Sequence, residues 1–241
     1  MKKVAILQSN YIPWKGYFDI INLVDEFIIY DDMQYTRRDW RNRNQIKTPS
    51  GLQWLTIPVA VKGKYLQTIN ETIICERSWL NKHIKSLQYN YKKANNFENC
   101  WEWLLGIYKE CEGETNLSRI NLAFIKAICE KLGIKTRITL SSEYSLIEGK
   151  TERLIGLCKD VGADYYLSGP SAKDYIDSSM FRAEKIQLHY MEYSNYPQYS
   201  QLYGGFVHAV SILDLILNEG DKAPMFMKSF GGNEQIEQTN T

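Results

Sequence analysis

The chain has 241 residues and a formal net charge of +1, with 44% hydrophobic and 24% charged residues. This size suits one elaborated domain, and the composition is that of an ordinary globular protein. The near-neutral charge gives no overall field that would recruit nucleic acid, and no stretch approaches the roughly 20 apolar residues that span a bilayer. We therefore expect a cytoplasmic protein with no nucleic-acid partner and no membrane insertion, whose five scattered cysteines stay reduced. The sequence is compatible with a homo-oligomer.

The first thirty residues have the pattern of a strand, a loop, a helix and a second strand. Residues 3–7 form a short aliphatic run that is typical of a buried strand. A loop containing Pro13 and Gly16 follows, and residues 17–24 have helical apolar spacing. Residues 27–30 are a second apolar run. This order is typical of a βαβ unit in a parallel sheet.

The middle of the chain differs from its two ends because three predicted helices follow one another there. The patterns predict strands at residues 54–61 and 68–75, then helices at 78–93, 98–110 and 116–132, the last with Gly133 as its left-handed cap. Strand patterns return after this helical stretch. The predicted elements there are strands at residues 136–140, 165–168 and 187–193, a helix at 152–161 and a last helix at 207–218.

Alternating strands and helices at both ends predict an α/β fold, namely a Rossmann-like, doubly wound and mainly parallel sheet with a helical middle section. We assign residues 1–230 to a single domain, with about 77–133 as a helical insertion or flank. The polar residues 231–241 predict a disordered tail.

Ligands of open parallel sheets bind beyond the carboxyl ends of the strands, and three segments should lie there. The first is the loop of residues 8–17. Its Pro13 fixes the backbone, Gly16 permits close approach at a helix start, and Lys15 adds a charge that suits phosphate. It matches neither common glycine-rich phosphate motif, so an ordinary strand-to-helix turn is an equal alternative.

The second segment joins Asp31 and Asp32, at a strand end, to Arg41 and Arg43. Adjacent carboxylates there suit a ribose hydroxyl, an ammonium group or a phosphate-bound Mg²⁺, and the arginines suit phosphate or carboxylate. Capping of a turn is the alternative role for the two aspartates. The third segment is residues 168–172, where Pro170 is placed to begin a helix; a simple helix cap is an equal alternative.

No metal or nucleophile motif is evident. His83, His189 and His208 are far apart and lack the spacing of zinc ligands, and Cys75 has no evident base partner. His83 shares a helix face with Trp79, which favours a packed histidine over an acid–base role.

Taken together, these segments resemble the WbqC-like family of bacterial proteins, from the start of the chain to about Gly220. The matching residues are Gln8, 11–13, 16–18, 31–35, 40–44, 54–59, Trp79, His83, Tyr89, 168–170, Asp174, Tyr175, Tyr199, Phe206 and 211–215. The resemblance implies a place in O-antigen or other surface-polysaccharide biosynthesis, and some members are labelled as glycine or acyl transferases to amino sugars.

A more distant similarity is to the nucleotidyl-transferase and pantothenate-synthetase superfamily, whose first loop carries His-x-Gly-His. Residues 14–17 stand in its place, with the glycine retained and both histidines absent. This puts ATP activation in doubt unless Lys15, Arg41 or Arg43 supplies the positive charge. The cofactor is therefore undetermined: ATP with Mg²⁺ and an acyl-CoA donor are both compatible.

The leading hypothesis is an acyl- or aminoacyl-transferase that forms an amide on the amino group of a nucleotide-linked deoxysugar. Asp31 or Asp32 would orient or deprotonate the amine, with His83 as the reserve base. The candidate binding residues are Gln8, Tyr11, Pro13, Trp14, Lys15, Gly16, Tyr17, Gln34, Arg41, Arg43, Asn44, Ser168, Gly169 and Tyr199. The alternatives are a non-catalytic sugar-nucleotide binding or scaffolding protein and, third, a glycosyltransferase that uses Asp31 and Asp32 as metal ligands.

Overall fold

A computed structural model describes residues 1–231 and 236–237. Its strands are β1 (Lys3–Leu7), β2 (Glu26–Ile29), β3 (Arg43–Thr48), β4 (Gly51–Thr56), β5 (Arg137–Leu140), β6 (Tyr165–Ser168), β7 (Gln187–Met191) and β8 (Ile236–Glu237). Its α-helices are α1 (Lys15–Asn22), α2 (Trp79–Tyr91), α3 (Phe97–Glu110), α4 (Leu117–Leu132), α5 (Lys150–Asp160), α6 (Ser178–Ala183) and α7 (Ile212–Glu219).

The main sheet has the strand order β5-β2-β1-β6-β7-β8. The first five strands are parallel, and β8 pairs with β7 in the antiparallel direction. From β1 the chain adds strands outward through β2 to β5, then returns to the other side of β1 with β6. The order therefore reverses between β1 and β6, which makes this pair the switch point of the sheet.

Helices cover both faces of the sheet. Along β1, Val4 and Ile6 face one core and Ala5 faces the other, as strand alternation requires. Helices α1, α2, α3, α4 and α7 pack in the core that includes Ala5, whereas α5 and α6 pack in the core that includes Val4 and Ile6. The predicted Rossmann-like, mainly parallel α/β fold with a helical middle section is confirmed.

Helix α4 illustrates why the helical middle could be predicted. The Asn116 side chain accepts a hydrogen bond from the Arg119 N–H at the start, and Gly133 ends the helix in the left-handed conformation, with φ of 77°. Its buried residues recur at helical spacing and include Ile120, Phe124 and Ile128. The prediction of a helix capped by Gly133 is confirmed.

One predicted strand is shifted along the chain and another is wrong. The strand predicted at residues 54–61 is observed as β4, which begins at Gly51 and ends at Thr56 and pairs only with β3 in a separate antiparallel hairpin. Residues 68–75 form no strand and make isolated bridges from Thr68, Ile73 and Ile74 to three different segments. β-Branched residues predict an extended backbone, but a strand also needs a continuous partner.

The last predicted helix begins later than expected, at Ile212 rather than at residue 207. Residues 192–211 are free of regular helix and strand, and they lie over α1 and the hairpin β3–β4. The predicted disorder of residues 231–241 falls mostly outside the described residues, which include only Gly231 and β8 of that range. Within the described residues no helix is long and apolar enough to cross a bilayer.

Candidate functional site

A cavity of about 910 Å³ opens at the carboxyl ends of β1 and β6, at the switch point of the sheet. It is lined by residues that follow β1, β2 and β6 and by the start of α5. Its polar and charged lining residues are Gln8, Asn10, Arg41, Lys150, Arg153, Ser168 and Ser171. Its aromatic lining residues are Trp14, Tyr17, Tyr30, Trp40, Tyr166, Tyr175 and Tyr193.

Arg41 is fixed at the cavity wall by two neutral side chains. Its two terminal nitrogens donate to the amide oxygens of Gln8 and Asn10, which follow β1. The nearest carboxylate in the described residues is that of Asp39. Its Oδ2 lies 3.7 Å from the Arg41 Nη2 and accepts a hydrogen bond from the Thr36 hydroxyl. An arginine held in this way keeps most of its positive charge available to a ligand.

A buried hydrogen-bond network positions Arg41 and the loop after β1. Asp31 accepts hydrogen bonds from the Ser9 N–H at 2.8 Å, from the Ser9 hydroxyl at 2.7 Å and from the Ser118 hydroxyl. The Asn121 amide then donates to the Ser9 hydroxyl and to the Arg41 carbonyl, each at 2.9 Å. The network thus joins the ends of β1 and β2 to helix α4.

Two further cations enter the cavity from the first turn of α5, Lys150 and Arg153. The Arg153 Nε donates to the Ile147 carbonyl at 2.7 Å, which fixes its direction. Gly149, also at the cavity, has φ of 99°, a conformation that favours glycine, and an added Cβ would collide with the Glu152 side chain. The loop into α5 therefore places both cations at the same edge of the sheet as Arg41.

The cavity has an uneven charge balance. Among the described residues its lining includes Arg41, Lys150 and Arg153 but no aspartate, glutamate or histidine. Within the described chain, no group of three or more histidine, cysteine, aspartate or glutamate side chains is arranged to hold a metal ion. The lining chemistry therefore suits an anion with several charges.

The aromatic wall of the cavity is built on Trp14. The centroid of its ring lies 5.0 Å from the ring centroid of Tyr193 and 5.5 Å from that of Tyr196. A Cβ on Gly16 would lie 2.3 Å from the Trp14 ring, so Gly16 provides room for this indole. The sequence predicted that Gly16 allows close approach of a ligand; the structure fills that space with Trp14 instead.

The structure gathers some of the predicted site residues and separates others. The cavity is lined by Gln8, Trp14, Tyr17, Arg41, Ser168 and Gly169, which come from the first, second and third predicted segments. The other candidates do not line it: Tyr11, Pro13, Lys15, Gly16, Asp31, Asp32, Gln34, Arg43, Asn44, His83 and Tyr199. The catalytic roles given to Asp31, Asp32 and His83 stay predictions.

Both aspartates are committed to partners within the fold. Burial raises the pKa of Asp31, which suits a base, but both of its oxygens are engaged by Ser9 and Ser118. Asp32 accepts from the Asn70 amide at 2.9 Å and from the Ser141 hydroxyl. Asp31 therefore joins the end of β2 to the segment after β1 and to α4, whereas Asp32 joins the end of β2 to Asn70 and to the segment after β5.

His83 is buried beside Trp79, away from the cavity lining. Its Nε2 donates to the Thr56 carbonyl at 3.2 Å, so its Nδ1 accepts from the Tyr11 hydroxyl at 2.9 Å in the neutral ring. Tyr11 is bonded in turn to the Tyr108 hydroxyl at 2.8 Å. Burial lowers the pKa of His83 to about 4.

We expect His83 to make the protein less stable as the pH falls. The folded pKa of about 4 lies below the ordinary value of 6.5, so the unfolded chain binds more protons between these values. The contribution to the free energy of unfolding, present above pH 6.5, is lost as the pH falls through this window. It amounts to roughly 3 kcal/mol.

Nuclear magnetic resonance titration of the three imidazoles should show one that stays neutral down to about pH 5. His83→Leu should remove that resonance and flatten the pH dependence of unfolding over the same window. An imidazole set that titrates entirely near the ordinary value would contradict this assignment.

Lys15 lies among aromatic rings that residues 192–211 contribute. Its Nζ donates to the Pro197 carbonyl at 3.0 Å and lies 4.8 Å from the ring centroid of Tyr196 and 5.2 Å from that of Tyr199. Burial lowers the pKa of Lys15 to about 8. The Tyr199 hydroxyl donates to the buried Asp214 at 2.7 Å. Lys15 and Tyr199 therefore attach residues 192–211 to the rest of the fold.

The remaining candidates also have structural partners. Asn44 donates to the carbonyls of Tyr11 and Ile12 at 3.2 and 3.0 Å, and it holds Ile12 at the unusual φ of 38°. The Pro13 carbonyl accepts from the Ile212 N–H at 2.9 Å. Gln34 donates to the Tyr65 carbonyl at 2.8 Å.

Sequence reasoning missed several lining residues, above all Lys150 and Arg153. The sequence pattern predicts a helix from residue 152, two positions after the observed start of α5 at Lys150. The available signal was Gly149, because a glycine at a helix start that follows a parallel strand lies at the ligand edge of the sheet.

A model of the WbqC-like protein family matches residues 8–225. The chain belongs to the WbqC-like family. The match includes the loop after β1, the Arg41 segment, the start of α5 and the turn after β6. Every lining residue of the cavity except Ile6 and Leu7 therefore lies inside the family region.

A close relative supports this assignment. An uncharacterized protein, Rv1507c, of Mycobacterium tuberculosis strain H37Rv is 54% identical over 228 residues, which is 95% of this chain and 98% of the relative. No solved structure matches the chain. The distant similarity to the nucleotidyl-transferase and pantothenate-synthetase superfamily stays a prediction.

Proposed function

We propose that this member of the WbqC-like family binds a nucleotide-linked amino sugar in the cavity and forms an amide on the sugar amino group, as a step in surface-polysaccharide biosynthesis. The observation that carries the proposal is the concentration of Arg41, Lys150 and Arg153 around a switch-point cavity that no carboxylate of residues 1–231 lines. A diphosphate has the charge and the acceptor oxygens that such a set binds.

The shape and the walls of the cavity suit the rest of this ligand. Its volume of about 910 Å³ lies within the range of small-molecule and cofactor sites. Trp14, Tyr175 and Tyr193 offer flat apolar surface and hydroxyl groups, which suit a base and a sugar ring. Ser168 and Gln8 add hydrogen-bonding groups at the ends of the two central strands.

Amide formation needs an amine held next to an activated acyl carbon, and the protein contributes by binding and orientation. As the C–N bond forms, the bond between the acyl carbon and the activating group breaks. The activating group leaves with the bonding electron pair and takes up, directly or through water, the proton that the amine loses. Positive charge near the reacting carbon stabilises the negative charge that develops on the acyl oxygen. Arg41, fixed by Gln8 and Asn10, is the best-oriented cation for that task.

A second candidate function is a non-catalytic sugar-nucleotide binding or scaffolding protein. The specific observation in its favour is that, in the described part of the chain, no aspartate, glutamate or histidine that could take the amine proton lines the cavity. Incubation with a nucleotide-linked amino sugar and an activated acyl donor separates the two: mass spectrometry of an enzyme reaction shows the added acyl group, whereas a binding protein leaves the sugar unchanged.

The binding proposal is tested with a panel of nucleotide-linked amino sugars by thermal shift and calorimetry. We expect a ligand that stabilises the protein, and we expect Arg153→Ala to weaken its binding by about tenfold or more, since a charged hydrogen bond to phosphate is lost. The matched control is Arg182→Ala, on the exposed face of α6 and outside the cavity. Equal loss in both variants, or none in either, would remove Arg153 from the site.

A further inference from the structure

A patch of exposed aromatic and basic side chains continues from the cavity mouth onto the hairpin β3–β4. We call it the outer patch; it consists of Arg37, Arg38, Trp40, Arg43 and Trp54. Trp40 lines the cavity and is 41% exposed, and Trp54 is 39% exposed. The centroids of the two indole rings are 5.3 Å apart, with an interplanar angle of 43°.

The outer patch is organised by Arg43. Its guanidinium carbon lies 4.1 Å from the Trp54 ring centroid, and one terminal nitrogen donates to the Arg38 carbonyl. The buried Nε of Arg43 has no hydrogen-bond partner among the described residues. Arg37 is directed by a hydrogen bond of 2.9 Å to the Val61 carbonyl. The side chains of Arg37 and Arg43 are therefore held in place, and each guanidinium keeps further N–H groups for a ligand.

Positive charge dominates this segment. Residues 36–44 include four arginines and one acidic residue, Asp39, which accepts from Thr36 at 2.6 Å and from the Trp40 N–H at 2.7 Å. Within the described chain no carboxylate lies within ion-pair distance of Arg37, Arg38 or Arg43; the Asp39 contact is with Arg41. Exposed indoles with unneutralised arginines suit a ligand that combines a flat ring with negative charge.

We propose that the outer patch is a second ligand site, which binds the nucleoside phosphate part of the second substrate. Its base stacks on Trp54 and Trp40, and its phosphates contact Arg43, Arg37 and Arg38. The proposal rests on the proposed function, because a transferase whose cavity holds the amino sugar needs a place for the donor. ATP and coenzyme A both carry this chemistry, and the test separates them.

The position of Trp40 gives the outer patch its connection to the cavity. Because Trp40 belongs to both, a donor stacked on the outer patch can direct its other end toward Arg41, the next residue in the chain and a cavity wall. The phosphates of the two ligands would then be bound by different cations: Arg41, Lys150 and Arg153 for the sugar nucleotide, and Arg37, Arg38 and Arg43 for the donor.

Calorimetric titration of ATP and of coenzyme A, each alone, into wild type, Trp54→Ala and Arg153→Ala tests the outer patch. We expect one of the two to bind wild type and to lose roughly tenfold to a hundredfold in affinity in Trp54→Ala. Trp54→Phe should restore most of that affinity, and Arg153→Ala should leave it within about twofold. Leu52→Ala is the matched control, exposed on the same face of β4.

The outcomes separate the two proposals. Nucleotide-sugar binding that depends on Arg153, with no binding of ATP or coenzyme A, overturns the outer patch and leaves the proposed function standing. Donor binding that depends on Trp54, with no sugar-nucleotide binding, does the reverse. Donor binding unaffected by Trp54→Ala also overturns the outer patch, as does tight Trp54-dependent binding of a single-stranded oligonucleotide without binding of either small molecule.

Discussion

Replacement of Arg41 by alanine should weaken binding of the nucleotide-linked sugar by about a hundredfold, the largest loss of any single change in the cavity. Arg41 reaches the cavity with both terminal nitrogens already held by Gln8 and Asn10, so little conformational freedom is lost when a phosphate binds. Its removal also frees those two amides. Calorimetry with the ligand identified by thermal shift gives the change in affinity.

The conservative control is Arg41→Lys. A lysine keeps the charge but cannot bridge two amide oxygens in one plane, so we expect an intermediate affinity. Both variants should fold, because the Asn121 amide binds the backbone carbonyl of this residue rather than its side chain. Thermal melting checks that point. Wild-type affinity in Arg41→Ala would rule out the central role of this residue in binding.

Asp31→Ala should lower the free energy of unfolding by about 3 kcal/mol, because it leaves the Ser9 N–H and two buried hydroxyls without their acceptor. For a protein of this size that corresponds to a fall in melting temperature of roughly 6–12 °C. The sugar nucleotide should also bind less tightly, since Ser9 separates Gln8 from Asn10 and the network holds this loop in place.

Asp32→Ala is the matched control at the neighbouring position. Asp32 is only partly buried and has two side-chain partners, Asn70 and Ser141, so we expect a loss of about 1 kcal/mol. Chemical denaturation of both variants measures the difference. If Asp31→Ala were as stable as wild type but inactive with bound ligand, Asp31 would be a catalytic base rather than a structural acceptor.

Much of the fold follows from local sequence. The apolar run at residues 3–7, the strand at 165–168 and the capped helix before Gly133 appear in the structure at or within one residue of their predicted bounds. The meeting of Gln8, Arg41 and Ser168 could also be predicted. Carboxyl ends of parallel strands share one edge of the sheet, so residues distant in sequence gather there.

Other features depend on partners that sequence does not reveal. Whether Asp31 faces a ligand or the interior is decided by Ser118, which lies 87 positions away. Likewise, residues 68–75 have β-branched side chains but no continuous neighbouring strand. The burial of His83 depends on the Tyr11 and Thr56 that happen to pack around it. Each case turns on a tertiary contact, which overrides local preference.

Because no carboxylate of the described residues lines the cavity, its positive charge should influence the association rate of an anionic ligand. Unneutralised cations in a concave, low-dielectric site attract anions from a distance, so the association rate should be high in dilute buffer. At physiological ionic strength the screening length falls to about 8 Å, and that advantage shrinks. Phosphate buffer would compete directly for the same cations. We therefore expect the affinity for an anionic ligand to fall as the ionic strength rises.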